Sequence, residues 1–430
     1  MKELNVGLVG FGTVGAGVAR ILLEDADNLA ERTGVRPVLR AVCDLDTTTD
    51  RGVALPAGLL SDKLETVLGN AGIEVVVELV GGTTFARELI LAALDSGKHV
   101  VTANKALLAE HGEDLYARAG SAGLSISFEA SVCGGIPIVR AVRDGYAGTE
   151  ITQMMGIVNG TCNYILTEMA EKGTCFEEAL AGAQAQGFAE AEPSLDVDGL
   201  DSAHKLAILA RLAFARRIDF SSVHVEGIRH IEPIDIQFGS EMGYVLKLLA
   251  IGKAVDGEVD LRVHPAFLPR HHPLAAVRGV FNAVWIRGKA TGDTMHYGRG
   301  AGQRPTAAAV VTDLIDVGLG RAAVNARAFA ALSGQLQDAG ARSIAEIETH
   351  YYLRFSVADR PGVLSAISGA LGRNGISIAS AIQPEHSPES DVPVVVVTHQ
   401  ARERAMTAAL EEIDSLDAVR SKTRLIRIER

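Results

Sequence analysis

The sequence is poor in cysteine, and its cysteines are not arranged like a zinc site or a disulfide framework. A chain of 430 residues has four, Cys43, Cys133, Cys162 and Cys175. None belongs to a C-x-x-C pair, and no cysteine–histidine cluster has zinc spacing. Scattered thiols of this kind are typical of reduced cytosolic proteins. We therefore expect a cytoplasmic protein.

Long apolar runs and an excess of positive charge are missing as well. No apolar run approaches the about 20 residues of a membrane helix, and polar residues interrupt the first positions before a signal-like core forms. We therefore expect no membrane partner. Asp and Glu outnumber Lys and Arg by 53 to 41, a formal net charge of −12. This balance argues against a nucleic-acid partner, whose affinity would need clustered Lys and Arg.

Apolar residues are plentiful, at 47% of the chain, and the length suggests two or three domains. Up to about residue 130, short apolar strands alternate with helical stretches. This alternation predicts an α/β, Rossmann-like domain with a doubly wound parallel sheet over 1–130. Residues 131–302 lack the alternation and predict a mixed α+β domain. A helix predicted at 305–318 is expected to lie in a segment, about 303–337, that completes the first domain.

The last part of the chain is predicted to be a separate unit. Residues 338–349 are expected to form a linker. From 350 to 430 the predicted elements follow the order βαββαβ, which is that of a ferredoxin-like module.

The turn after the first strand carries a dinucleotide-binding fingerprint. A G-x-G-x-x-G motif stands between a predicted strand and a predicted helix. The first glycine permits a tight turn, the second lets the backbone approach a pyrophosphate, and the third lets helix and strand pack closely. The helix N-terminus adds free N–H groups and a positive dipole end. We therefore predict that NAD or NADP is bound by Gly10, Phe11, Gly12, Thr13, Val14 and Gly15.

The choice between NAD and NADP stays open. Asp44, at the end of the second strand, is placed to bond a ribose 2′-hydroxyl, as in NAD enzymes. Arg40 lies on the same strand, where it either serves a 2′-phosphate or is a solvated surface charge. Cys43 stands where a basic residue would favour NADP.

Two lysines stand in blocks that are expected to face the ligand crevice. Lys105 ends the run T-A-N-K after the fourth strand, at the sheet edge where doubly wound folds bind ligands. Lys205 follows Asp201 by four residues, which places both on one helix face. A lysine among carboxylates in a crevice can donate a proton. The alternatives are a surface ion pair for Lys205 and a surface lysine at a helix start for Lys105.

Together with other blocks, these motifs resemble homoserine dehydrogenase. The resemblance covers residues 1–320 and includes G-I-V-N-G-T-C-N-Y at 156–164, G-F-A-E-A-E-P at 187–193 and Y-G-R-G-A-G at 297–302. It implies NAD(P)-dependent interconversion of L-homoserine and L-aspartate 4-semialdehyde, in threonine, methionine and isoleucine biosynthesis. The alternatives are another NAD(P)-dependent dehydrogenase of a small amino or hydroxy acid, or a catalytically inactive amino-acid sensor. The presence of Lys205 and Asp201 argues against the inactive sensor.

The resemblance implies that 131–302 is the substrate-binding, catalytic and dimerisation domain, and it implies roles for particular residues. Lys205 is the expected proton donor, and Lys105 is a second catalytic lysine that contacts substrate or cofactor. Glu190 and Asp201 are expected to hold the amino and hydroxyl end of homoserine.

Two glycines are expected by resemblance to lie against the cofactor, namely Gly187 and Gly302. Two other positions depart from the family pattern. Phe85 and Arg299 stand where smaller residues or proline are usual, and the sequence does not indicate the consequence.

Residues 129–137 resemble a family segment that binds a monovalent cation. The implied ligands for sodium or a similar ion are the Glu129 carboxylate and the carbonyl groups of Val132, Gly134 and Ile136. The alternative is a Gly-rich hinge in which Glu129 caps the next helix.

Residues 350–430 resemble an ACT domain, a module that binds amino acids at paired interfaces. The turn at Pro361 and Gly362 would offer N–H groups to a ligand carboxylate. The resemblance implies threonine as the effector and a homo-oligomer, a dimer or tetramer; the alternative is dimerisation without ligand binding. If the linker lets this module move, truncation near residue 345 should leave an active, threonine-insensitive enzyme.

Overall fold

The computed structural model describes residues 1–324, 338, 340–383 and 391–430. The chain divides into two units. The first comprises Met1–Met154, Asp201–Ser222 and Phe281–Ala339, and the second comprises Met155–Leu200, Val223–Val280 and Gly340–Arg430. Among the helices of the described ranges, none combines the length and the apolarity that crossing a bilayer requires.

Strands and helices occur along the whole described chain. The strands are β1 (Lys2–Val9), β2 (Val35–Cys43), β3 (Leu60–Ser61), β4 (Val75–Glu78), β5 (His99–Thr102), β6 (Ile126–Ser127), β7 (Ile151–Ile157), β8 (His224–Val225), β9 (Tyr244–Val255), β10 (Glu258–Pro269), β11 (Phe281–Gly288), β12 (Gly292–Arg299), β13 (Glu348–Ala358), β14 (Ile378–Ile382), β15 (Asp391–Thr398), β16 (Ala401–Arg402) and β17 (Arg424–Ile428). The helices are α1 (Thr13–Glu24), α2 (Ala26–Thr33), α3 (Glu65–Leu68), α4 (Thr84–Asp95), α5 (Lys105–Ser121), α6 (Ile138–Arg140), α7 (Gly160–Lys172), α8 (Phe176–Ala185), α9 (Ser194–Val197), α10 (Leu200–Phe214), α11 (Pro233–Glu241), α12 (Gln303–Gly318), α13 (Val363–Arg373) and α14 (Glu403–Asp414).

The first unit contains the parallel sheet that the alternating pattern predicted. Its strand order is β3-β2-β1-β4-β5-β6, and each neighbouring pair runs parallel. All four residues of β4 are buried, as expected for a strand covered on both faces. The chain order reverses between β1 and β4, and doubly wound folds bind ligands at the carboxyl ends of the strands at such a point.

Helix α12 packs against α1 in the core of the first unit. A Cβ on Gly17 would lie 2.9 Å from Gln303 and 3.0 Å from Ala307, so only glycine allows this approach. Val310 and Leu314 of α12 belong to the same buried cluster as β1 and α1. The described part of the segment expected to complete the first domain therefore lies in that domain's core. Residues 325–337 and 339 lie outside the described residues.

In the second unit, the ACT-like segment shares one sheet with β9 and β10. The strand order is β9-β10-β17-β13-β15-β14. β13, α13, β14, β15, α14 and β17 follow the predicted βαββαβ order. β17 runs parallel to β10 on one side and antiparallel to β13 on the other.

The linker expected at 338–349 is not a free connection in its described part. The Val259 N–H donates to the Gly340 carbonyl at 3.0 Å, and the Arg342 N–H donates to the Val259 carbonyl at 2.9 Å. Truncation near residue 345 would also remove β17 from beside β10. The expectation of an active enzyme after this truncation stays a prediction, and it carries a structural cost because β17 pairs with β10 in the sheet of the second unit.

Buried ion pairs join β17 to β9 and β10. Arg262 is 1% exposed and its Nη2 lies 2.6 Å from Glu429 Oε1. Lys253 Nζ lies 2.8 Å from Glu429 Oε2. Burial acts to raise the pKa of Glu429, but the charges of Arg262 and Lys253 outweigh burial and hold that pKa well below its usual range.

Strand β10 and helix α11 were not predicted from the sequence. β10 carries Asp260, Arg262 and His264 at alternate positions, a pattern that would place them on the solvent face of a strand. All three are buried. Arg262 bonds Asp260 and His264 within the strand and Glu429 from far along the chain.

We expect Glu429→Ala to lower the free energy of unfolding by about 3–5 kcal/mol, because it leaves Arg262 and Lys253 charged and short of a partner inside the sheet. Urea unfolding followed by circular dichroism measures the loss. Glu348→Ala is the matched control, since Glu348 pairs with Arg402 while both side chains are nearly half exposed; it should cost less than about 1 kcal/mol. Equal losses in the two variants would contradict this account.

Candidate active site

The loop between β1 and α1 is shaped to receive a dinucleotide. Gly10 has a φ of +97°, and a Cβ there would lie 2.6 Å from the Leu79 carbonyl group. A Cβ on Gly15 would lie 2.0 Å from the Gly10 carbonyl oxygen, whereas a Cβ on Gly12 would meet no described atom within 4 Å. The loop is therefore tight at its ends and open in its middle. The free N–H groups at the start of α1 adjoin this opening, so the residues present fit the pyrophosphate of NAD or NADP.

The start of α5 is fixed by a chain of buried hydrogen bonds. Thr102 Oγ1 donates to Glu78 Oε2 at 2.5 Å, and the Asn104 N–H donates to Thr102 Oγ1 at 3.0 Å. Asn104 Oδ1 accepts from the Leu107 N–H at 3.2 Å and so caps the helix. These bonds hold Lys105, the first residue of α5, at the carboxyl end of β5.

One carboxylate joins the two lysines that were predicted to be catalytic. Asp201 Oδ2 lies 2.7 Å from Lys205 Nζ, and Asp201 Oδ1 lies 3.3 Å from Lys105 Nζ. The side chains of Asp201 and Lys205 are 8% and 13% exposed, whereas that of Lys105 is 39% exposed. The predicted pairing of Asp201 with Lys205 on one helix face is confirmed. Two ammonium groups beside one anion can stabilise and protonate a developing oxyanion.

His204 lies beside this trio and was not singled out from the sequence, although it stands between Asp201 and Lys205. Its ring stacks on Phe220 with centroids 4.6 Å apart, and its Nε2 lies 3.6 Å from Glu110 Oε1. Burial lowers the pKa of His204, while the charges of Glu110 and Asp201 act to raise it. The imidazole thus packs α10 against its surroundings without adding a third cation at neutral pH.

Glu129 begins the segment that was predicted to bind a cation, and it is 4% exposed. Its carboxylate oxygens accept from the Val139 N–H at 3.0 Å and the Arg140 N–H at 2.9 Å. Burial raises the pKa of Glu129, and these two bonds act against that rise. The helix cap considered as the alternative is therefore present. A carboxylate has about four acceptor sites, so the two capping bonds leave about two sites of the Glu129 carboxylate for a cation. A carboxylate together with backbone carbonyl oxygens is a ligand set that suits sodium.

Cys133 holds the same segment in a bent conformation. Its φ of +50° lies in the left-handed region, which a residue with a side chain rarely adopts. Asn282 Nδ2 donates to Cys133 Sγ at 3.3 Å. Burial raises the pKa of the Cys133 thiol, which also feels the charges of Lys205 and Asp201. Residues 129–137 therefore lie near Lys205 and Asp201, a relation that the sequence did not indicate.

The loop at 297–302 packs on this segment backbone to backbone. The Gly135 N–H donates to the Arg299 carbonyl at 3.0 Å, and a Cβ on Gly135 would lie 2.4 Å from that oxygen. A Cβ on Gly300 would lie 2.2 Å from the Asn282 amide. Gly302 has a φ of +132° and begins α12. The glycines of both segments are therefore required by this close approach.

Each of the other residues singled out from the sequence is described within its own unit. Arg40 is exposed and hydrogen-bonds Asn5. Gly187 and Glu190 belong to the second unit, in an exposed turn after α8 where the Gln184 amide donates to the Glu190 carbonyl at 3.0 Å. Phe85 stands in the first turn of α4 and is 51% exposed. Nothing in the described structure explains why Phe85 and Arg299 depart from the family pattern.

The parallel sheet with its Gly-rich loop, and the two lysines that share the Asp201 carboxylate, fit an NAD(P)-dependent oxidoreductase acting on a CH–OH group, and comparison with known proteins shows that class. Residues 137–315 match the family model for homoserine dehydrogenase, 10–129 match the model for its NAD-binding domain, and 351–416 match the ACT domain. The homoserine dehydrogenase of Neisseria gonorrhoeae is 40% identical over 432 residues, which cover 100% of this chain and 99% of that protein. The chain therefore belongs to the homoserine dehydrogenase family, as its motifs indicated.

Solved structures agree with this assignment. A homoserine dehydrogenase from Thiobacillus denitrificans superposes with a TM-score of 0.93 at 40% identity, covering 100% of this chain and 99% of that one. The Staphylococcus aureus homoserine dehydrogenase superposes with a TM-score of 0.77 at 31% identity, with 99% of each chain covered. A hyperthermophilic archaeal homoserine dehydrogenase in complex with NADPH superposes with a TM-score of 0.61 at 26% identity. That superposition covers 74% of this chain and 98% of the archaeal chain. The other two functions considered from the sequence are not favoured.

We expect Lys205→Ala to reduce kcat by about 10²–10⁴-fold, the usual cost of losing a general acid, while the dissociation constant of the reduced cofactor changes little. Steady-state kinetics and cofactor fluorescence titration measure the two quantities. Lys172→Ala is the control, because Lys172 also pairs with an acidic residue four positions away but is 60% exposed. A near-normal kcat in Lys205→Ala would make Lys105 the first candidate for proton donor.

Proposed function

We propose that this chain reduces the aldehyde of L-aspartate 4-semialdehyde to L-homoserine, and catalyses the reverse oxidation, with Lys205 as the proton donor. The observation that carries the proposal is the carboxylate of Asp201 shared by Lys205 and Lys105. NAD or NADP, when bound, supplies or accepts the hydride.

The roles of the side chains follow from the charges that the reaction develops. The aldehyde oxygen gains negative charge as the carbon is reduced, and the Lys205 ammonium stabilises and protonates that oxygen. Asp201 keeps Lys205 oriented by accepting a hydrogen bond from it. Lys105 is the more exposed lysine, so we assign it to contact with substrate and cofactor. The carboxylates of Glu190 and Asp201 are proposed to bind the amino and hydroxyl end of homoserine.

The activity is tested by following NADH and NADPH absorbance with L-aspartate 4-semialdehyde, and NAD and NADP reduction with L-homoserine. We expect turnover in both directions. Other small hydroxy acids, offered in parallel, should react poorly. Turnover of one of these in place of homoserine would favour the alternative dehydrogenase, and no turnover of any would favour an inactive sensor.

We also propose that Glu129 and the carbonyls of Val132, Gly134 and Ile136 bind sodium or a similar monovalent cation. The cation would stabilise the bent segment that lies near Lys205. Activity should rise with sodium and saturate when tetramethylammonium keeps the ionic strength constant. Glu129→Gln retains an acceptor for the helix cap but loses the charge, so it should need at least about tenfold more sodium. A flat response in the unmodified protein would leave the segment with a capping role alone.

Threonine is the proposed effector of the ACT domain. A pocket of about 370 Å³ is lined by the turn at 357–364 together with Gln383 and Val394. Gly362, with a φ of +93°, precedes α13, whose N-terminal N–H groups suit a carboxylate. We propose that the domain pairs with a copy in a homo-oligomer, a dimer or tetramer, that works in the cytoplasm.

Calorimetry should detect threonine binding to the full chain, and saturating threonine should inhibit roughly 5–150-fold if the coupling is about 1–3 kcal/mol. Gly362→Ala should weaken binding, because its φ strains any residue with a side chain. Gly372→Ala is the control in the same helix, since a Cβ there meets no described atom within 4 Å. If threonine inhibits both the unmodified protein and Gly362→Ala at the same concentrations, threonine binds elsewhere, for example in the active site.

A further inference from the structure

The end of β2 holds a carboxylate against the Gly-rich loop. The Phe11 N–H donates to Asp44 Oδ2 at 2.5 Å, and the Asp46 N–H donates to Asp44 Oδ1 at 2.9 Å. The Gly10 N–H in turn donates to the Cys43 carbonyl at 2.9 Å. Asp44 is therefore fixed beside the loop that receives the pyrophosphate. Since a carboxylate has about four acceptor sites, two remain for hydroxyl groups of the adjoining ribose.

The surroundings of Asp44 are acidic. Hydrogen bonds from Thr49 and Thr48 hold the pKa of Asp46 well below its usual range, so Asp46 is ionised at neutral pH. Burial raises the pKa of the Cys43 thiol, and the charges of Asp44 and Asp62 raise it further. Three carboxylates thus lie near the carboxyl end of β2.

The neighbouring guanidinium groups are engaged by other partners. Arg51 Nη2 lies 3.0 Å from Asp46 Oδ2. Arg40 Nε donates to Asn5 Oδ1 at 2.6 Å, and Arg40 Nη2 lies 3.5 Å from Glu3 Oε2. Glu3 and Asn5 belong to the amino-terminal half of β1, whereas ligands bind at the carboxyl ends of the strands. Arg40, the residue considered for a 2′-phosphate, is thus drawn away from the expected ribose position.

We infer that this chain binds NAD(H) in preference to NADP(H), and that Asp44 is the residue that selects the unphosphorylated adenosine ribose. This inference deepens the proposed function and rests on it. A 2′-hydroxyl can donate to Asp44. A 2′-phosphate has no such donor when ionised, and it would bring a charge of about −2 to a group of carboxylates. Phosphate recognition usually relies on Arg or Lys side chains, and here Arg51 is paired with Asp46 and Arg40 with Asn5 and Glu3.

The test is a pair of dissociation constants, for NADH and for NADPH, measured by calorimetry on the full chain at low ionic strength. We expect NADH to bind at least about tenfold more tightly, which corresponds to 1.4 kcal/mol. Added salt should bring the two dissociation constants closer together, because screening weakens the repulsion between the 2′-phosphate of NADPH and the carboxylates. NADPH binding as tightly as NADH, or more tightly, would overturn the inference.

Asp44→Asn keeps an acceptor for the Phe11 N–H but removes the charge, so the preference for NADH should fall to within about threefold. Asp50→Asn removes an equal charge from the same loop, where Asp50 accepts from the Gly52 N–H at 2.7 Å, and should leave the preference unchanged. An unaltered preference in Asp44→Asn would overturn the role given to Asp44.

A third comparison uses ADP-ribose and its 2′-phosphate as competitors of NADH. ADP-ribose should compete at least about tenfold better, and this result does not depend on whether Asp44→Asn folds. The cofactor inference and the proposed function fail by different results. Homoserine oxidation that prefers NADP over NAD would refute only the cofactor inference. No homoserine oxidation with either cofactor would refute the proposed function.

Discussion

The arrangement of the two lysines that are proposed to be catalytic depends on the carboxylate of Asp201, because two ammonium groups could not otherwise stay so close together. Asp201 lies in the first turn of α10, and Lys105 is the first residue of α5. Helix N-termini favour negative charge, so the backbone as well as the lysines stabilises this anion. Its burial reduces screening by salt. A neutral residue at this position would leave Lys105 and Lys205 facing each other as uncompensated cations.

Close backbone packing imposes a second constraint on the same region. Gly135 and Gly300 leave no space for a Cβ against Arg299 and Asn282, and Cys133 adopts a left-handed conformation beside them. The segment proposed to bind a cation and the segment proposed to contact the cofactor are therefore held as one block. A change in either segment would shift the other, so occupancy of the cation site and placement of the cofactor are expected to be physically coupled.

The parts that sequence analysis predicted well are those set by local patterns. The β1 strand, the Gly10–Gly15 motif and the four-residue spacing of Asp201 and Lys205 each depend on neighbours in the chain. Strand β10 was missed because the burial of its polar side chains depends on a distant part of the chain. Arg262, for example, bonds Glu429, and no short window of sequence contains both residues. The contact between Cys133 and Asn282 is equally distant in the chain and left no local signal.

The position of β17 between β10 and β13 has a consequence for how the protein is made. Arg262 and Glu429 are 167 positions apart in the chain, so the middle of this sheet closes by a contact of very long range, which slows folding. Until β17 arrives, the edge of β10 at Ala266 and Phe267 is unpaired, and an unpaired strand edge can recruit strands from other molecules. The second unit is therefore exposed to aggregation until one short strand, β17, has paired.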